Sequence, residues 1–152
     1  MKAPTTYAEW LECFDKVKTG INDSEVLDCM QKGQFTMSAG VAGRFAEQLN
    51  DTIQFRIKKA SDRFSRSMQM AGGDLNVVIN SLLCVRKEFK FLIEIAKLPV
   101  LPVDNSEALV AALKQQADVM QQSLEVTSIK TDRTGVLTSI IRKNRLNNLE
   151  AK

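Results

Sequence analysis

The chain contains no histidine. That absence excludes Ser-His-Asp and Cys-His catalysis, the His-bearing zinc sites and the Glu-x-x-His di-iron bundles. Enzymes can work without histidine, so catalysis becomes less expected rather than impossible. Proline is nearly as scarce. It occurs at 4, 99 and 102, so between Pro4 and Pro99 nothing forbids helix and glycine alone punctuates it. The three cysteines, Cys13, Cys29 and Cys84, stand far apart and without CxxC spacing. They argue against a disulfide framework and make no zinc site. They read as reduced, mostly buried small apolar residues.

Long hydrophobic runs are missing as well. None approaches the ~18–20 residues that a membrane span needs. The N-terminus leads into a segment bearing Glu9, Glu12 and Asp15, where a signal peptide would be apolar. The expected location is cytoplasmic, with no membrane partner. No EF-hand loop is present. Gly40-Val41-Ala42-Gly43-Arg44 lacks the Walker Lys-Ser/Thr and any preceding strand, so it is a glycine-softened helix start and no P-loop. No cofactor or metal is implied.

What is there is helix. The chain has 152 residues, 44% hydrophobic and 26% charged, enough for one well-cored globular domain over 1–152. Thr6-x-x-Glu9 is a capping box for a helix over 6–18, with Tyr7, Trp10, Leu11, Phe14 and Val17 at helical spacing and Gly20 as its stop. Asp23 or Ser24 caps a second short helix that Gly33 ends. From Ser38, apolar residues from Ala42 to Ala71 fall within a ~160° arc at 100° per residue. Unbroken, that helix would be ~50 Å long. Gly72-Gly73 ends it, and Asp74 caps the next.

The segment 75–97 carries two apolar faces. One holds Leu82, Phe89 and Ile93, and the reverse holds Val77, Cys84, Phe91, Ile95 and Leu98. A helix apolar on two sides is expected to be covered on two sides. Residues 98–103 read as an extended apolar connector, and Asp104, Asn105 or Ser106 as the cap of a further helix. The expected fold is all-α: an antiparallel helical bundle with a three-helix core (about 38–71, 74–97 and 105–130), two short N-terminal helices and a C-terminal helical tail. A flexible basic tail over 130–152 is the alternative.

Charge is unevenly spread. Residues 54–66 hold five basic residues and one acid, and 130–152 hold six and two, whereas 98–129 hold one and four. Arg56, Lys59, Arg63 and Arg66 fall at i, i+3, i+7 and i+10, one narrow stripe beside the apolar stripe of the same helix. With Arg142, Lys143 and Arg145 they are the candidate contacts for nucleic acid or another partner. The blander expectation is a solvated ridge, or one paired with the acidic helix over 105–130 through Glu107, Asp118 and Glu125. Single-stranded nucleic acid would want stacking aromatics, and only Phe64 lies nearby, on the core side. Arg86, inside the apolar arc of 75–97, is a candidate buried ion that needs a carboxylate or carbonyl partner. The functional expectation is a non-enzymatic helical interaction or adaptor domain that binds another macromolecule or itself. The alternative is a nucleic-acid-binding protein using the basic ridge and the basic C-terminus.

Overall fold

The structure, a computed structural model, describes residues 2–72 and 74–131. Five helices occupy them: α1 (Tyr7–Thr19), α2 (Asp23–Lys32), α3 (Ala39–Ala71), α4 (Leu75–Ala96) and α5 (Val103–Thr131). No strand occurs among the described residues. The fold is an all-α bundle in which α3 packs on α4 and α4 on α5. The Arg56 guanidinium lies over the Phe91 ring, and Met68 packs on Val78. The expected tail over 130–152 lies, beyond Thr131, outside the described residues, and Arg142, Lys143 and Arg145 lie there too.

Local chemistry explains most boundaries. Thr6 Oγ1 accepts from the Glu9 N–H at 3.2 Å, as a capping box requires. The Glu9 carboxylate accepts in turn from the hydroxyls of Thr5 and Thr6. These bonds hold its carboxyl below the usual carboxylate range, the Thr5 hydroxyl contributing most. Gly20 closes α1 in the left-handed region, its N–H reaching the carbonyls of Lys16 and Val17. Asp74 caps α4 through the Asn76 N–H at 3.0 Å.

Three boundaries differ from expectation. Neither Asp23 nor Ser24 caps α2. Its N-cap is Asn22, itself left-handed and without a side-chain cap bond, because the Asp23 carboxylate is engaged elsewhere. Residues 98–101 are a turn rather than an extended connector: the Leu101 N–H donates to Leu98 O at 3.1 Å, and both leucines are buried. Helix α5 starts at Val103, directly after Pro102, whose carbonyl accepts from the Ser106 N–H. Ser106 is therefore inside the helix, and its hydroxyl donates to Ala96 O.

The chain divides into two compact units. The first comprises Met1–Lys58 and Phe91–Ala111. Trp10, Phe14 and Phe45 form its centre, their ring centroids 5.2–6.3 Å apart, with Phe45 edge-on to the other two. Leu49, Ile53, Leu92 and Ile95 complete a fully buried layer. Gly33 fits against this core by having no side chain. A Cβ there would stand 2.6 Å from Trp10 and 2.8 Å from Pro4. The Trp10 Nε1 donor is buried with no acceptor among the described residues.

The second unit comprises Lys59–Lys90 and Ala112–Lys152. Among the described residues it has fewer buried apolar side chains than the first. Val78 is buried, but Met68, Ile79 and Leu82 packed against it are only partly so. Leu82 was expected in the core and is half-buried; Phe89 is buried as expected. Met70, Leu83 and Val119 are large apolar side chains in solvent.

Candidate functional site

The basic stripe on α3 divides between the two units. Arg56 belongs to the first and is only 4% exposed, which removes it from any exposed ridge. Its Nη1 donates to Val17 O at 2.7 Å and to Asp23 Oδ1 at 3.0 Å, and its Nη2 donates to Asp23 Oδ2 at 3.0 Å. Its guanidinium stands 4.9 Å from the centroid of Phe91. One planar cation thus satisfies a carbonyl in the last turn of α1, meets a carboxylate at the start of α2 bidentately, and stacks on α4. The acid seen to answer it, Asp23, lies on α2. Arg56 is structural for a physical reason. Leu49 and Ala60, seven residues before and four after, flank it on one line of the helix, and both are buried.

Lys59, Arg63 and Arg66 remain exposed in the second unit. Among the described residues none of them forms an ion pair. Arg66 reaches only its own helix, Nε to Asp62 O at 3.4 Å. Arg86, the other candidate ion, is half-buried and has an interaction of its own.

Beside the remaining ridge lies a groove of about 300 Å³ in the second unit. Buried Ala60, Phe64 and Val85, with half-buried Val77, make its apolar floor. Arg63 and Ser67 of α3 line one wall, and Asn80, Ser81, Cys84 and Glu88 of α4 the other. The Ser81 hydroxyl is spent on Val77 O. Cys84 is exposed on the rim, whereas Cys13 and Cys29 are buried. The expectation of mostly buried cysteines holds at Cys13 and Cys29 and not at Cys84. The reason is that, among the described residues, the reverse face of α4 is not covered along its whole length. Ile95 and Leu98 are buried and Phe91 half-buried in the first unit, whereas Cys84 and Leu83 face solvent in the second.

Sequence reasoning missed this groove because a helix pattern says which face is apolar and not what covers it. The arrangement can do one thing chemically. It can take apolar side chains into a slot beside a row of cations. No group of three or more Cys, Asp or Glu among the described residues is placed to hold a metal. No described helix is long and apolar enough to cross a membrane. No known protein family, curated protein or solved structure matches the chain.

Proposed function

We propose that this chain is a non-enzymatic helical interaction module whose second unit presents the binding surface. The observation that carries the reading is the groove between α3 and α4, with an apolar floor and the exposed residues Arg63 and Cys84 on its walls. Apolar surface beside polar walls favours an occupant whose burial removes that surface from water, at roughly 25 cal/mol per Å². Nucleic acid is the weaker reading. It retains Lys59, Arg63 and Arg66 as phosphate contacts but loses Arg56 to Asp23, and Phe64 is buried in the groove floor rather than offered for stacking.

Cys84 supplies the test, since Cys13 and Cys29 are buried. A photo-crosslinker attached to Cys84 should form an adduct with one identifiable macromolecule in an extract of the native cell. The same reagent on Gln48→Cys, an exposed position of α3 in the first unit, should not. Asn80→Trp, which puts bulk on the rim, should abolish the Cys84 adduct. Equal adducts from both positions, or adducts indifferent to Asn80→Trp, would remove the groove as a binding surface.

A further inference from the structure

We propose that the groove receives an amphipathic segment of a partner protein, apolar on the side that enters and acidic on the flank that lies along α3. The inference rests on the reading of this groove as a binding surface and adds the chemistry of its occupant. The sides of the groove differ in charge, with Arg63 in its lining and Lys59 and Arg66 flanking it on the same helix. On the α3 side, Lys59, Arg63 and Arg66 recur at i, i+4 and i+7, which puts three exposed cations on one line over ~10 Å of helix axis. The α4 wall is neutral at Asn80, Ser81 and Cys84, and carries one acid, Glu88. Apolar side chains answer the floor, and carboxylates spaced by one helical turn answer the ridge. A helix laid in a groove offers both from one face and its edge.

The rival occupants fit less well. A second copy of this chain, related by a two-fold axis, would bring the same cationic rim to the interface twice. Six basic residues stand against three acidic ones over 59–90, so like charges would meet across it. A nucleic acid supplies anions for Lys59, Arg63 and Arg66 but no aliphatic groups for Val77 and Val85. The floor would stay wet.

Three short helical peptides test the assignment. They share leucines at helical spacing and differ only on one flank, which carries Glu, Gln or Lys. Two readouts are taken: anisotropy of the labelled peptide, and protection of native Cys84 from alkylation. The Glu peptide should bind about tenfold more tightly than the Gln peptide at low salt, from several weak exposed ion pairs acting together. The Lys peptide should bind least. All binding should protect Cys84, and the advantage of Glu should shrink at high salt. Lys59→Glu with Arg66→Glu, both exposed and absent from the groove lining, should reverse the order of Glu and Lys peptides while helix content stays unchanged.

If the Glu and Gln peptides bind alike and both protect Cys84, the acidic flank is wrong and the groove reading survives. If no peptide protects Cys84 but the Cys84 photo-adduct forms, the amphipathic occupant is wrong and the surface remains. If neither occurs, both readings fall together. A single-stranded oligonucleotide that outcompetes the Glu peptide, or sedimentation as a dimer that itself protects Cys84, would overturn the proposal in favour of nucleic acid or self-association.

Discussion

The two units are built from stretches of the same three long helices, yet they treat apolar residues differently. In the first unit, α1 and α2 add Trp10, Phe14, Val17, Val26 and Met30 to the core, and all five are buried. The reverse face of α4 becomes interior there, with Ile95 and Leu98 buried. The second unit has no such helices in its described part, and the reverse face becomes the wall of a groove. The comparison teaches that an apolar helical face is an instruction to be covered. Whether it becomes core or surface depends on how many of the described elements pack beside it.

The largest expected effect breaks the comparison most directly. Phe45→Ala should cost about 3–5 kcal/mol, because a fully buried ring at the centre of an aromatic trio leaves a cavity that cannot collapse. The matching truncation in the second unit, Leu82→Ala, should cost only about 1 kcal/mol, since Leu82 is half-buried. Denaturant melts of both variants measure this. Equal losses would show that the second unit is as tightly cored as the first.

Next comes the ion that ties the first unit together. Arg56→Met should cost about 2–4 kcal/mol, because Val17 O and the Asp23 carboxylate both lose a buried donor. The Asp23 side chain is 31% exposed, so water recovers part of its solvation and Asp23→Asn should cost less. A double-mutant cycle should return a coupling above about 1 kcal/mol. A neutral Arg56→Met would mean that packing alone closes this unit.

The smallest effect is absent at neutral pH. Burial pushes the Cys13 thiol up from its ordinary 9.0 to about 11, with nearby Lys16 partly opposing the shift. The native state therefore holds this proton to higher pH than the unfolded chain does. Below pH 9 both states are protonated and nothing changes. Between 9 and 11 the unfolded state releases its proton first, so stability falls as pH rises. Cys13→Ala should flatten that slope relative to wild type. The exposed thiol of Cys84, alkylated at neutral pH, should react much faster than Cys13.

The helices were legible because their signals are local. Thr6 and Glu9, Gly20, and the pair Gly72 and Asp74 act within a few residues of themselves, and the helix α3 continues through Gly40 and Gly43, where an added Cβ would meet no atom within 4 Å. What was illegible depends on residues far apart in sequence. Arg56 looked like a member of an exposed stripe because helical arithmetic gives an angle, and α2 decides what lies at that angle. Gly33 reads as a helix stop, and it does follow α2, but its φ of −70° requires no glycine. Trp10 and Pro4 require it. Of the candidate site, Lys59, Arg63 and Arg66 were readable as one line. The groove beside them was not, since it depends on which described elements stand beside the reverse face of α4.

The aromatic centre of the first unit also decides what light can report. The chain has one tryptophan and one tyrosine, and Trp10 and Tyr7 both lie on α1. Intrinsic emission therefore comes from the closed unit alone, with Trp10 wholly screened from water. Far-UV ellipticity averages over every helix. If the groove-bearing unit loosens first, ellipticity will begin to fall while emission stays at its native wavelength, and the gap between the two midpoints is a direct reading of how independently the two halves of one bundle melt.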